Sequence, residues 1–270
     1  MLLTVAFEGT SYSGWAPQAN ARTVAGELSG AIETIDPHAS RLRAVSRTDA
    51  GVHALAQLAA FDTTRNIDPR GWVLALAREL PRQIAVVHAT PVPQGYDPRD
   101  RVAFKRYRYR LRRSQVADPF WAGRAWRVGF QLDLDRMAVE ASDLVGIHDF
   151  AAFRSSADTR SETVRHILRA EVRSARRDDE LLDVVVEGDR FLHNMVRIIA
   201  GTLVDVGRGR LPRGTVRRAL ALGDRSVLGM TAPPDGLYLE HVELEPPPTV
   251  GWPIPRTHSG DVSGSGNPEP

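Results

Sequence analysis

Short apolar runs separated by amphipathic stretches set the rhythm of this chain. LLTVAF, at 2–7, reads as a strand. In TVAGELSGAIETI, Val24, Leu28, Ile32 and Ile35 recur at helical spacing behind Thr23, whose hydroxyl suits an N-cap. RLRAVS and ALAQLAAF then read as two short strands on either side of a tight turn. Asp68 and Pro69 supply a cap and a first helical position for a helix running to Leu80, where Pro81 stops it, and IAVVHAT follows as a strand. The order is β-α-β-β-α-β, the ferredoxin-like unit.

The second half repeats this order. FKRYRYRLR predicts a strand, 134–145 a helix, and VRHILRAEV and LLDVVVEG two further strands. A helix is expected over FLHNMVRIIAGTLVDV, with Leu192, Met195, Val196, Ile199 and Leu203 on one stripe and Gly207 at its end. A short helix after Pro212 and the strand GLYLEHVEL complete the unit. The fold class expected is therefore α+β: one unit over residues 1–103, a second over 104–245, with antiparallel sheets flanking a central cleft. Residues 246–270 hold seven of the chain's 18 prolines and too few apolar groups to offset the entropy of ordering, so they predict a disordered tail.

With 270 residues, 42% of them hydrophobic, the chain has ample material for a core. No apolar run is long enough to span a bilayer, and MLLTVAFEGT turns acidic before it forms a signal-peptide apolar region; a cytoplasmic protein without a membrane partner is expected. The absence of cysteine excludes disulfides, thiolate zinc sites and thiol nucleophiles. The eight histidines are scattered without HExxH or HxH spacing, so metal catalysis is not expected.

The formal net charge is only +2, and Lys105 is the sole lysine. Residues 99–113, RDRVAFKRYRYRLRR, nevertheless carry eight cations against one acid with two tyrosines interleaved. Such a segment suits a polyanion whose bases can stack. It also suits a solvated edge strand protected from aggregation by its charge.

The stretch SRTDAGVHA, at 46–54, sets one carboxylate, Asp49, between Arg47 and His53. Asp followed closely by Gly is ordinary turn chemistry, and spacing alone leaves Asp49 open between a turn former and a nucleophile or base. Strand alternation puts Tyr107, Tyr109 and Leu111 on one face and Arg106, Arg108, Arg110 and Arg112 on the other.

RTDAGVHA (47–54), FEGTSYSGW (7–15), RTV (22–24), KRYRYRL (105–111), GIHDFAAF (146–153), FLHNMVR (191–197) and TAPPDGLYL (231–239) together resemble the tRNA pseudouridine synthase A family, in family order and over nearly the whole chain. The resemblance implies the pseudouridine synthase fold and a cofactor-free homodimer that isomerises uridine to pseudouridine at positions 38 to 40 of the tRNA anticodon arm. It implies Asp49 as the nucleophile, Tyr107 as a substrate-contacting ring, and Arg197 reaching across the cleft to pair with Asp49. Arg47 and His53 fall beside the substrate, Arg47 as a nucleotide or phosphate clamp and His53 as support for the loop rather than a general base. Ser46, Ala16, Ala25 and YDPR at 96–99 depart from the family pattern and bear on peripheral tRNA contacts.

Three other readings compete. A non-catalytic protein of two RRM-like units would carry an RNP1-like strand, and neither ALAQLAAF nor FKRYRYRL matches one. A pseudouridine synthase for another RNA would share little beyond the surroundings of Asp49. A glycosidase would need a second acid at matched spacing, and none stands out.

Overall fold

The computed structural model describes residues 1–175, 178–248 and 251–252. The first unit has the expected order: β1 (Leu2–Phe7), α1 (Val24–Ile35), β2 (Arg43–Ala44), β3 (His53–Ala60), α2 (Pro69–Glu79) and β4 (Ile84–Thr90). Thr23 Oγ1 accepts from the Gly26 amide and Asp68 Oδ1 from the Gly71 amide, so both predicted caps satisfy N–H groups that a helix start leaves open. Phe61 meets the buried ring of Trp72 edge-on at 4.9 Å and locks α2 against the sheet.

The second unit contains β5 (Val102–Arg113), β6 (Trp126–Val128), α3 (Leu134–Ser142), β7 (Gly146–Asp149), β8 (Val164–Ala175), β9 (Asp178–Gly188), α4 (Met195–Gly207), α5 (Thr215–Leu222) and β10 (Leu237–Leu244). β6 and β7 escaped the sequence reading because each is only three or four residues long. The helix expected from Phe191 begins at Met195, because Asn194 sits in the left-handed region at φ 62° and cannot continue a helix on its N-terminal side. Residues 191–194 are thereby free to form a loop.

The α+β class holds, and the sheet is mostly antiparallel. The two units, however, share one ten-stranded sheet, with the order β4-β1-β3-β10-β5-β9-β8-β7 and with β2 and β6 paired to β3 and β5. β2 covers only Ala59 and Ala60 of β3, which leaves the start of that strand open. β10 fills the vacancy: Tyr238 and Leu239 pair in parallel with His53 and Ala54, while the other edge of β10 pairs antiparallel with β5, Leu239 opposite Tyr107. The last strand of the second unit therefore lies between the loop before β3 and the middle of β5.

The predicted tail does not start cleanly at 246. Trp252 exchanges two 2.8 Å backbone hydrogen bonds with Ala89 and packs on the core, with the Arg70 guanidinium 6.0 Å from its ring. Residues 249–250 and 253–270, where the rest of that expectation falls, lie outside the described residues. No helix among the described residues is long and apolar enough to cross a membrane.

Candidate active site

Because β2 is so short, residues 45–52 form a loop of eight residues between β2 and β3 rather than a tight hairpin turn, and SRTDAGVHA runs through it into the first two residues of β3. Its shape is fixed from outside. The Thr48 carbonyl accepts from the Trp15 amide at 3.0 Å, the Tyr12 carbonyl accepts from the Gly51 amide at 3.3 Å, and the loop closes on itself through Val52 N–H to Asp49 O at 3.1 Å. Two glycines permit this approach. A Cβ on Gly14 (φ 91°) would stand 2.5 Å from the Thr48 carbonyl oxygen, and one on Gly51 (φ 78°) would meet the Pro234 ring at 2.9 Å.

The loop turns Asp49 toward α4. Asp49 Oδ2 lies 3.5 Å from Arg197 Nη1, the pairing that the resemblance implied. Arg197 is held in turn by the Ala232 carbonyl, which accepts from its Nε at 2.8 Å, and by Asn194 Oδ1, which accepts from Nη1 at 2.9 Å. The other carboxylate oxygen, Oδ1, lies 3.3 Å from His193 Nε2. His193 was missed because the helix was expected to begin before it; its position next to Asn194 was the available signal.

Asp49 and Tyr107 line one cavity of about 610 Å³, together with Ser46, Arg47, Lys105, Arg160, Phe191 and His193. Asp49 also borders an adjoining depression shared with Gln18, Arg47 and Arg197. Tyr107 is nearly buried, and the Phe191 ring packs edge-on against it at 4.9 Å. Burial pushes the Tyr107 phenol above its ordinary value and the neighbouring Asp49 carboxylate adds to that rise, so the hydroxyl stays protonated. Tyr109, two residues on, is not part of the cavity: its hydroxyl donates to the Pro233 carbonyl at 2.8 Å and its ring is fully buried.

Of the two residues expected beside the substrate, Arg47 is exposed on the loop and borders both depressions. His53 is not. It is buried in β3, where Nδ1 accepts from the Gly9 amide at 3.0 Å and Nε2 lies 3.1 Å from the Asp235 carbonyl, so the neutral ring carries its proton on Nε2. Burial holds its pKa below the ordinary value despite the nearby Glu8. The structure thus places His53 outside the Asp49 cavity, where it ties β3 to the segments at Gly9 and Asp235.

The basic segment is corrected too. Arg106 pairs with Glu187 at 2.6 Å, Arg108 with Glu240 at 2.8 Å, and Arg110 with Asp183 at 2.8 Å. Arg112 meets Asp118, Asp178 and Glu180, and Arg113 donates to the Asp179 carbonyl. Carboxylates of β9 and β10, remote in sequence, face this arginine row across the strands and neutralise most of it. Lys105 is different: it lies on the Tyr107 face and lines the cavity.

Among the described residues no cluster of three histidine, aspartate or glutamate side chains is arranged to hold a metal ion. The arrangement offers one carboxylate between a guanidinium and an imidazole, a flat aromatic wall, and a surplus of cations at the rim. Such a site can take up a planar base attached to an anionic backbone. Residues 3–99 and 141–245 match the family described as tRNA pseudouridine synthase. The chain belongs to that family.

It is similar to the tRNA pseudouridine synthase A of Myxococcus xanthus, 38% identical over 262 residues that cover 97% of this chain and 98% of the relative. It is also similar to those of Geotalea uraniireducens (39% identical; 89% and 97% covered) and Geobacter sulfurreducens (39%; 90% and 98%). The family places the chain among isomerases that act on uridine in tRNA.

Proposed function

We infer that this synthase converts uridine to pseudouridine at positions 38 to 40 of the tRNA anticodon arm, as a homodimer in the cytoplasm, with Asp49 as the group that attacks the nucleotide. The anticodon-arm positions and the dimer rest on the family resemblance; a tRNA substrate supports the cytoplasmic location. The observation that carries the assignment of Asp49 is its carboxylate, flanked by Arg197 at 3.5 Å and His193 at 3.3 Å, in a cavity that Tyr107 also lines.

A paired uridine must leave its stack to reach such a cavity, at a cost of a few kcal/mol. The Tyr107 ring, steadied by Phe191, gives the extruded base a flat partner. The reaction then breaks N1–C1′, turns the uracil, joins C5 to C1′, and moves the C5 proton off and a proton onto N1. A carboxylate at Asp49 serves by attack at C1′, by addition at uracil C6, or by taking a ribose proton. In each route Arg197 balances its charge and fixes its direction. Arg47, exposed at the rim, suits a phosphate clamp.

The test is incubation of unmodified tRNA with wild-type and Asp49→Asn enzyme in excess, followed by mapping of pseudouridine. Asn keeps the shape and turn preference of Asp but not its charge. Conversion within the anticodon arm by wild type, and none by Asp49→Asn, is expected. Conversion elsewhere would overturn the assigned positions, and substantial yield from the variant would return Asp49 to a turn former.

A further inference from the structure

Lys105 is the sole lysine of the chain, and its side chain shares the cavity with Tyr107, two residues further along β5. Alternation puts both on one face, about 6.6 Å apart along the strand, a separation that the sugar of one nucleotide bridges. The ammonium makes no ion pair among the described residues, whereas the arginines of the opposite face of β5 are nearly all paired.

Its neighbours are charged. Asp189 is the carboxylate that acts on it, but its Oδ1 already accepts from the amides of His166 at 3.2 Å and Arg190 at 2.6 Å. Arg160, also in the cavity lining, is gripped by Asp158 through Nε at 2.8 Å, and Arg190, largely exposed outside the lining, adds its positive charge at a longer range. Around the Lys105 ammonium two guanidiniums act against the single carboxylate of Asp189, so this end of the cavity is cationic. Burial, together with Arg160 and Arg190, pulls the Lys105 ammonium down to about 8 in spite of Asp189. A cation held this way gains when a single anion arrives.

We propose that Lys105, with Arg160, forms the subsite for one backbone phosphodiester flanking the extruded uridine. This rests on the reading that the uridine enters the Asp49 cavity. It assigns to Lys105 the binding of a monoanionic phosphate rather than contact with a uracil carbonyl.

The test is a double-substitution cycle on binding. Wild-type and Lys105→Met enzyme are titrated with the RNA arm that wild type converts, carrying either natural linkages or a neutral methylphosphonate placed, one at a time, 5′ or 3′ of the converted uridine. Met keeps the apolar stem and removes only the ammonium. The expected result is a loss of about ten-fold in affinity for Lys105→Met on natural RNA, a similar loss for wild type on one methylphosphonate, and no further loss when the two are combined. The salt dependence of log affinity should flatten by about 0.7 to 0.9 in Lys105→Met and stay as in wild type for Lys105→Arg.

Losses that multiply at both linkages would overturn the subsite. So would unchanged affinity with a reduced kcat, which would assign Lys105 to the uracil. Equal melting temperatures exclude a folding defect, and Lys105→Gln repeats the cycle if Met proves unstable. Pseudouridine formation by Asp49→Asn, measured separately, reports failure of the underlying reading and leaves the cycle interpretable.

Discussion

Asn194 and Arg197 lie one helical turn apart, and the amide oxygen of the first accepts from the guanidinium of the second at 2.9 Å while that same guanidinium faces Asp49 at 3.5 Å. Asn194 adopts φ 62°, a left-handed conformation that asparagine tolerates better than most residues. One side chain thus ends the loop, starts α4 and aims the arginine.

The consequence is a separable positioning role. Asn194→Gly keeps the backbone conformation and removes only the bond to Arg197; it is expected to lower kcat about ten-fold, the worth of one charge-assisted hydrogen bond, with melting within a few degrees of wild type. Asn194→Ala adds backbone strain of about 1 kcal/mol and should lower both. Single-turnover rates and thermal melts separate the two effects. Equal rates for wild type and Asn194→Gly would mean that the Ala232 carbonyl alone sets Arg197.

Arg110 and Asp183 are direct cross-strand neighbours joined by two hydrogen bonds, and the Asp183 side chain is only 6% exposed. Arg110→Ala would strand a buried carboxylate at a cost of about 3 kcal/mol. The melting temperature should therefore fall, and the salt dependence of tRNA binding should not change. A flattened salt slope with an unaltered melt would restore Arg110 to the RNA interface.

That pair marks the limit of what the sequence conveyed. Elements with local signatures were readable: Thr23 and Asp68 cap their helices as their side chains predict, and the apolar stripe of α4 is buried along its length. Features set by distant partners were not. Nothing near RYRYRLRR announces Asp183, Glu187 and Glu240, so a row of paired arginines looked like an open cationic surface. The parallel pairing of β10 with β3 was hidden for a related reason: it depends on how much of β3 the two-residue β2 leaves uncovered. Within the site, Asp49, Tyr107 and Arg197 stood in recognisable strings; His193 and Lys105 stand in the same strings, but their approach to the cavity depends on long-range packing that the strings do not show.

Asp158 gives the loop walls an acid-sensitive tie. Its carboxylate accepts from Arg160 Nε at 2.8 Å and from the His193 amide at 2.9 Å, and the Arg160 bond above all holds its pKa well below the usual carboxylate range, against the opposing effect of burial. A depressed folded-state pKa means that the unfolded chain binds the proton first. The stabilisation is complete above the unfolded value of about 3.9 and is lost as pH falls from there through the folded value. Thermal melts between pH 7 and pH 3 should show a steeper acid loss for wild type than for Asp158→Asn, which has no charge to lose. Parallel curves would remove Asp158 from the acid response.

Tyr107 separates ring from hydroxyl. The ring is fixed by the edge of Phe191 and by its neighbours on β10 and β9, so Tyr107→Phe should fold and melt as wild type does. Burial raises the pKa of the phenol, with a smaller contribution from Asp49, so the hydroxyl is held as a protonated donor. In Tyr107→Phe that donor is missing while the flat surface for the base persists; kcat should fall about ten-fold or more, as for loss of one hydrogen bond to a charged group, with tRNA affinity unchanged. Tyr107→Ala also removes the stacking surface and should weaken binding of the extruded uridine by a further 1 to 3 kcal/mol, roughly the stacking of one base on an aromatic ring. Single-turnover rates and equilibrium binding for the two variants distinguish these roles. Wild-type rates in Tyr107→Phe would leave only the ring at work, and wild-type affinity in Tyr107→Ala would mean that the base stacks elsewhere, with Phe191 the next aromatic surface in the cavity.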